Sequence, residues 1–521
     1  MKQLVQPKKV GTILSCTFLA FMLCAMTLTA PIYAQTAIPA TVYLDSTMQK
    51  IEGFGAANII GWRPDMTAAE VQTAFGTSAN QLGFTLLRLR IAPDSTQFAI
   101  NVASALAAQQ LGARIIASPW TPPAWMKTNN NTVGGYLLPS AYAAYAAHLK
   151  SFVDTMAKYG VSIYAVSLQN EPDASVSYES CYWTATQFLN FVKYYAPAIG
   201  TPIFMPESES FVHALSDSTL NDSAACANVG FVAGHLYGVS PTTYSLAASK
   251  GKEVWMTEHY TTSTDSGNVW PLALNVGKEI SDCMNANMSA YVWWYIVRFY
   301  GPIDENGNPT KRGYVMSHFS QFIFPGSVRV YSSVSSSRGV PSISVSAFKS
   351  SNQIIIEAIN LNSSTIRDSI ILQNLTGGAA SFTKYVTSQS KNVLYQGTVA
   401  ASNSRLVDTL EANCIATYVS NATSGVKNAP TVPSTFSLAQ NYPNPFNPTT
   451  RIDFTLGKAA YVKLDIYNIL GQKVATLINN EYQQGGQQSV IFDASKLSSG
   501  MYFYKLEAGS FMQTRKMLLL K

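Results

Sequence analysis

The sequence predicts an α/β chain built on a (β/α)8 TIM barrel, with a fused side β-sandwich and a separate immunoglobulin-like β-sandwich at its C-terminus. Three observations carry that expectation. Eight short apolar, β-rich runs alternate with helix-periodic segments between residues 50 and 326, the alternation that builds a parallel sheet covered on both faces. Residues 327–420 turn all-β, with no helical period between the runs. A stretch rich in Ser, Thr, Pro, Asn and Gly, 421–435, then precedes six more alternating runs.

The first 34 residues read as a secretory signal peptide. MKQLVQPKKV supplies a basic region, GTILSCTFLAFMLCAMTLTA an apolar one, and PIYA a small-residue cleavage site after Ala34. The competing reading is an uncleaved anchor. No second apolar run of that length follows, so no membrane span is expected in the mature chain. Residues 35–52 are expected to lend strands to the side sandwich.

The barrel runs, within 50–326, are KIEGFGAA (50–57), FTLLRLRIA (84–92), RIIASPW (114–120), AVSLQNEP (165–172), PIFMPES (202–208), VGFVAGHLY (229–237), KEVWMTEH (252–259) and SAYVWWYI (289–296). Helical patterns such as SAYAAYAAHLKSFVDTMAKYG (140–160) intervene. SVRVYSSV, PSISVSAFK, QIIIEAINL, SIILQNL, FTKYVTS and ANCIATYVS make the side sandwich of 327–420. It follows the barrel without a turn-rich linker, which implies close packing. In the tail, 436–521, RIDFTL, YVKLDIYNI, QKVATLI, QSVIFDA, GMYFYKLEA and FMQTRKMLLL are separated by turn signals at sandwich-like spacing.

Composition narrows the function. With 12% charged and 47% hydrophobic residues, the chain is no disordered polymer. Its formal charge of +6 sits at the ends. Residues 1–34 hold three basic and no acidic residues, 421–521 ten and five, and 35–420 22 and 24. No Lys/Arg cluster interleaved with aromatics lies in the middle, so a nucleic-acid groove is not expected. Cys181, Cys226, Cys283 and Cys414 remain after the signal, widely spaced and without a CxxC pair. That excludes a zinc site and a dense disulfide framework but leaves room for one or two disulfides after export. The five His, at 148, 213, 235, 259 and 318, form no HExxH or comparable spacing, so no metal or cofactor is expected. A monomer is the expected state.

Barrel enzymes place their chemistry at the C-terminal strand ends. The fourth run ends in Asn170-Glu171-Pro172 and the seventh in Thr257-Glu258-His259. The third ends in Ser118-Pro119-Trp120, the sixth in His235-Leu236-Tyr237 and the eighth in Trp293-Trp294-Tyr295. Two carboxyls among amides, phenols and indoles describe a sugar-cleaving rim. Retaining glycosidases need two carboxyls about 5–5.5 Å apart, one kept protonated for the leaving oxygen and one ionised to attack. Asn170 is suited to bond a substrate 2-hydroxyl, Trp faces to stack on sugar rings, and His235, Tyr237 or His259 to orient or tune the nucleophile. Singly, a Glu after an apolar strand more often caps or ion-pairs; the pair at two barrel strand ends points to catalysis. Trp120, Trp125, Trp293 and Trp294 divide between core and substrate contact.

QKIEGFGAAN, LLRLRIAP, IIASPWTPPAWMK, VSLQNEPD, VWMTEHY, WWYIVRFYG and KRGYVMSHFSQFIFPGSVRV resemble glycoside hydrolase family 30, and within it the bacterial xylanase subfamily, over about residues 40–420. The resemblance implies a retaining mechanism with Glu171 as acid/base and Glu258 as nucleophile. It also implies endo-cleavage of β-1,4-xylan directed by a glucuronic acid branch. The carboxylate of such a branch calls for an Arg fork plus hydroxyl donors. The resemblance puts this contact in the segment from Tyr295 to Gly301, with Arg298, Tyr295 and Tyr300 as candidates. Here the chain departs from the pattern. Val297 precedes Arg298 where similar enzymes often carry two adjacent arginines, which puts glucuronate dependence in question but not xylan cleavage.

The competing enzyme readings are a family-30 xylanase indifferent to glucuronate and a β-glucosidase or β-1,6-glucanase. A non-catalytic surface polysaccharide binder is the reading from another class, and it has no need of the glutamate pair. In the tail, FSLAQNYPNPFNPTTRIDFTL, VKLDIYNILGQKVATL, LSSGMYFYKLEAG and KMLLLK resemble the C-terminal sorting domain of the type IX secretion system. That resemblance implies a secreted enzyme, extracellular or surface-attached, handed across the outer membrane by that machinery.

Overall fold

The computed structural model describes residues 38–261, 264–335, 343–350, 353–375, 381–420, 437–441, 444–456, 460–483, 486–509 and 511–520. The signal peptide read at 1–34 and the linker read at 421–435 lie outside them. Strand β1 (Ile38–Lys50) leads into a closed parallel barrel. Its strands are β2 (Gly53–Asn58), β3 (Leu86–Ile91), β4 (Arg114–Pro119), β5 (Ile163–Ser167), β6 (Ile203–Ser208), β7 (Val229–His235), β8 (Val254–Glu258) and β9 (Ala290–Tyr295). The helices between and after them are α1 (Ala68–Phe75), α2 (Val102–Gln110), α3 (Tyr142–Lys158), α4 (Ala185–Tyr194), α5 (Ala214–Asn221), α6 (Ser223–Asn228), α7 (Ser245–Ser249), α8 (Leu272–Asn285) and α9 (Lys311–Ser320).

Near-continuous apolarity marks these strands because both faces are covered: all six residues of β3 are buried. The helices instead bury one stripe, as α3 does with Tyr142, Tyr145, Ala146, Leu149, Phe152 and Met156. Capping boxes at Thr67–Glu70 and Thr184–Gln187 start α1 and α4. Strands β2 and β3 approach so closely that a Cβ on Gly55 would lie 1.8 Å from the Leu86 carbonyl oxygen, which explains a glycine inside a strand. Inside the barrel, Phe204, Phe231 and Trp255, near the N-terminal ends of β6, β7 and β8, stack at 4.8 and 4.0 Å between successive rings. With Leu86, Ile116, Ala165, Ala233, Ala290 and Val292 they form an apolar floor. Polar side chains are left to the C-terminal strand ends.

The second sheet holds β10 (Val328–Val334), β11 (Ile343–Lys349), β12 (Ile354–Asn360), β13 (Ile366–Gln373), β14 (Ser381–Thr387), β15 (Leu394–Ser402), β16 (Arg405–Leu410) and β17 (Cys414–Ser420). Where the sequence leads one to expect two facing sheets, the ladder runs on around and closes. Strand β1 makes the closure, antiparallel to β10 and parallel to β13. Phe348, Ile355, Ile359 and Ile415 from this sheet join the core between barrel strands and helices, and Ser281 of α8 bonds Ser344 at 2.9 Å.

The four described cysteines are free thiols. The disulfides for which the sequence left room do not form among them, because their sulfurs belong to different places. Cys283 packs in the barrel core and Cys414 inside the second sheet, while Cys226 is on α6 and Cys181 follows β5. The tail folds as β18 (Ser437–Leu438), β19 (Thr449–Leu456), β20 (Ala460–Asn468), β21 (Lys473–Gln483), β22 (Gly486–Asp493), β23 (Gly500–Ala508) and β24 (Phe511–Leu519). These make antiparallel sheets of three and four strands around Ile452, Phe454, Leu464, Ile466, Tyr504 and Leu506. No described helix is long and apolar enough to cross a membrane.

Candidate active site

The C-terminal ends of the barrel strands converge on a buried ionic network. Arg88, in the middle of β3, is its hub. Its Nη1 donates to Glu258 Oε2 at 2.6 Å, its Nη2 to Asn170 Oδ1 at 2.6 Å and its Nε to Ser118 Oγ at 3.1 Å. The same guanidinium lies 3.1 Å from Glu207 of β6 and 4.9 Å from the Trp120 ring centroid. His235, at the end of β7, bonds Glu171 Oε1 through Nδ1 at 3.0 Å and faces Glu207 with Nε2 at 3.5 Å. The Tyr237 hydroxyl donates to Glu258 Oε1 at 2.9 Å.

Glu171 and Glu207 both sit at positive φ, 45° and 55°, a conformation that costs a non-glycine residue about 1–3 kcal/mol. The Glu171 N–H bonded to the Glu207 carbonyl, and the Asn170 N–H bonded to that of Pro119, help hold the chain there.

Charge follows from this geometry. Burial alone would push the His235 imidazole down, but Glu258 and the hydrogen-bonded Glu171 and Glu207 lift it to about 9. It is therefore a cation at neutral pH. Burial likewise opposes ionisation of Glu207, and Arg88 and His235 overcome it, holding that carboxyl at about 2. Glu258 is raised by burial and by Glu171, against the pull of His235 and Arg88. Glu171, Glu207 and Glu258 thus share two basic neighbours, Arg88 and His235. Ligand atoms of Glu171, His235 and Glu258 lie within 4.8 Å of one another.

Above the network opens a cavity of about 430 Å³ lined by Trp62, Trp120, Glu171, Tyr178, Glu209, Tyr237, Glu258, Tyr260 and Trp294. Three of its walls are indoles in mutual contact: Trp62 meets Trp120 edge-on at 5.3 Å, and Trp294 lies 5.8 Å from Trp120. Apolar ring faces beside paired carboxyls are what a pyranose, with its C–H faces and hydroxyl edges, requires.

Residues 70–253 match the glycosyl hydrolase family 30 TIM-barrel domain. Over 392 residues the chain is 39% identical to glucuronoxylanase XynC of Bacillus subtilis (strain 168), a match spanning 73% of this chain and 91% of that protein. The chain belongs to glycoside hydrolase family 30. Among solved structures, the family 30 subfamily 8 xylanase Xyn30A of Clostridium acetobutylicum shares 38% identity with a TM-score of 0.67, covering 74% of this chain and all of that one. A GH30 endoxylanase from Clostridium papyrosolvens C71 shares 34% at a TM-score of 0.66 over the same shares. Residues 440–520 match a secretion system C-terminal sorting domain, so the family-30 enzyme carries an export tail.

Of the residues singled out from sequence, Glu171, Glu258, Trp120, Tyr237 and Trp294 meet in the cavity wall of the family-30 barrel. Asn170 and His235 stand behind it, buried, as partners of Arg88 and Glu171. Past β9, the Arg298 guanidinium lies 4.7 Å from the Tyr295 ring centroid, with its Nη1 3.8 Å from the exposed Glu305. Tyr300 packs 5.6 Å from Tyr260. His259 is not among the cavity-lining residues; its ring lies 5.1 Å from that of Tyr237, and its Nδ1 is 2.8 Å from Glu279 of α8. Alternation along a barrel strand explains this, since an inward Glu258 sends the next side chain outward to the helix layer. Trp293 is turned outward likewise, under Arg312 and next to the inward Trp294, and Trp125 is 63% exposed outside the cavity wall.

Sequence reasoning missed Arg88 and Glu207, though charges inside the apolar runs LLRLRI and IFMPES were a usable signal. It also missed Trp62, Tyr178, Glu209 and Tyr260. These lie beyond strand ends, where no periodicity marks them.

Proposed function

We propose that the protein is an exported, retaining endo-β-1,4-xylanase that cuts glucuronoxylan at positions set by a glucuronic acid branch. The observation that carries the reading is the glutamate pair, with oxygens within 4.8 Å of each other beneath an indole-lined cavity. Similarity to a glucuronoxylanase over 91% of its length supports the substrate class. In the first step the Glu258 carboxylate attacks the anomeric carbon while Glu171 gives its proton to the departing glycosidic oxygen. In the second, Glu171 takes a proton from water, whose oxygen displaces Glu258 and restores the β-configuration. Arg88 and Tyr237 supply the hydrogen bonds that an ionised Glu258 needs. Arg298 receives the branch carboxylate. It is partly exposed, beside Tyr295, and its Glu305 partner is a solvent-screened rim contact.

The enzyme reaches its substrate outside the cell, exported by the signal peptide and then by type IX machinery acting on the tail. Digestion of glucuronoxylan, arabinoxylan and unsubstituted xylo-oligosaccharides, with products mapped by mass, tests the reading. Each glucuronoxylan product should carry one glucuronate at a fixed position, and unsubstituted chains should be cut poorly. Equal cleavage of all three would leave a xylanase indifferent to the branch. Glu258→Gln should abolish turnover yet keep binding, and wild-type rates in that variant would refute its role.

A further inference from the structure

One carboxylate in the cavity wall has no place in the ionic network. Glu209 lines the same cavity as Glu171 and Glu258. Its side chain has no hydrogen-bond or ion-pair partner among the described residues; its electrostatic neighbours include the like charges Glu171 and Asp173. Its backbone, by contrast, is fixed on both sides. The Glu209 N–H donates to Asp173 Oδ1 at 3.0 Å, and its carbonyl accepts from the Tyr237 N–H at 3.1 Å. Ser208 Oγ donates to the other Asp173 oxygen at 2.6 Å. A partly exposed carboxylate in a cavity wall, influenced by Glu171, Asp173 and the cation His235 but bonded to no protein donor, is left to water until a ligand that enters the cavity supplies a donor.

The side of the cavity it occupies is set by chain connectivity. Asp173 is two residues beyond Glu171, so Glu209 is tied to the segment that carries the proposed proton donor. That donor must face the leaving oxygen. Arg298, proposed to hold the branch, follows β9 on another part of the rim. Glu209 therefore borders the space of the departing chain.

Resting on the xylanase reading above, we propose that Glu209 binds the leaving-group side of the substrate. It accepts hydrogen bonds from hydroxyls of the departing xylan segment, and its charge refuses a glucuronate-bearing sugar there. A hydroxyl donating to a carboxylate is a charge-assisted bond, whereas a second carboxylate in the same pocket is repelled.

The test compares two substrates with the same glycone. One is a glucuronate-branched xylo-oligosaccharide whose leaving group is xylose; the other is the methyl glycoside of the same branched xylobiose, whose leaving alcohol needs the same protonation but offers no sugar hydroxyls. In Glu209→Ala, the ratio of kcat/KM for the first over the second should fall by about 10-fold or more, as loss of one charge-assisted hydrogen bond implies. An unchanged ratio would overturn the proposal, since a residue that merely positions Glu171 would slow both alike. Glu209→Gln, which keeps an acceptor and removes the charge, should recover part of that ratio. It should also release new glucuronoxylan products bearing glucuronate on the sugar just beyond the cut. Such products from the wild type, or none from Glu209→Gln, would refute the charge exclusion. If the wild type cut neither substrate, the xylanase reading itself would be what failed.

Discussion

Replacing Arg88 by Leu should disable the active site and destabilise the barrel together, because one buried guanidinium pairs with two carboxylates. Its nitrogens lie 2.6 Å from Glu258 and 3.1 Å from Glu207, and the side chain is fully buried. At an effective dielectric of about 20, a pair 2.6 Å apart gains roughly 6 kcal/mol before desolvation is subtracted. Breaking a buried pair from one side leaves a net loss of about 3–5 kcal/mol. For a unit of this size, each kcal/mol lowers the melting temperature by roughly 1–2 °C, so a drop of about 3–10 °C is expected. Activity should fall further. Without Arg88 the buried Glu258 loses its 2.6 Å donor, and burial with Glu171 nearby pushes its carboxyl further towards the form that cannot attack. A 3–5 kcal/mol loss in the transition state would correspond to roughly 10²- to 10⁴-fold in kcat/KM. Arg88→Lys keeps the charge but not the fork that also reaches Asn170 and Ser118, and should recover stability better than rate. Calorimetric melting and kcat/KM on glucuronoxylan measure both effects. A Leu variant within tenfold of wild-type activity that melts within about 2 °C of it would refute the assigned role.

Glu171→Gln removes the proposed proton donor and should lower kcat/KM on xylan by about 10²- to 10⁴-fold. A nitrophenyl glycoside, whose leaving group departs without protonation, should lose far less, and equal losses would mean that Glu171 is not the acid. The pH profile of stability has two limbs. His235 is lifted from 6.5 to about 9, so its contribution is full below 6.5 and is lost as pH rises through about 9. Glu207 is held at about 2 against 4.5, so its contribution is present above 4.5 and is lost as pH falls towards 2. The melting temperature should therefore be highest between these limbs, and His235→Asn should flatten the alkaline one. An alkaline slope unchanged in that variant would place its origin elsewhere.

Local pattern made the barrel legible, because a strand buried on both faces must be apolar nearly throughout and each such run ends where the floor gives way to the site. The same geometry made Glu171 and Glu258 legible as a pair. It also carried information that residue types concealed: His259 follows Glu258 and lies against Glu279 of α8 as well as Tyr237. What no local pattern encodes is partnership across the barrel. Arg88 and Glu207 are read separately as oddities in apolar strands, and only closure shows that they form an ion pair. Closure of the second sheet was hidden for a similar reason. It depends on β1 lying parallel to β13, a pairing between segments more than three hundred residues apart. Glu209 and Tyr178 project from loops positioned by the scaffold, where position, not periodicity, confers the role.

Charge distribution bears on how an acidic polysaccharide could be recognised at all. The segment 35–420 holds 22 basic against 24 acidic residues, while the excess lies in residues 1–34 and 421–521. The match to the Bacillus glucuronoxylanase takes in 91% of that protein within 392 residues, so the export tail at 440–520 has no evident share in the chemistry. A catalytic unit of nearly balanced charge offers no general attraction to uronic acids. Selectivity for a branch must then come from placement. On the proposed reading, a single cation, Arg298, accepts the carboxylate on one side of the scissile bond and a single anion, Glu209, refuses it on the other. Two opposite charges flanking a fixed cutting point would make an acid-branched chain lie in one register only. The glucuronate in each product would then mark the register that its own charge selected.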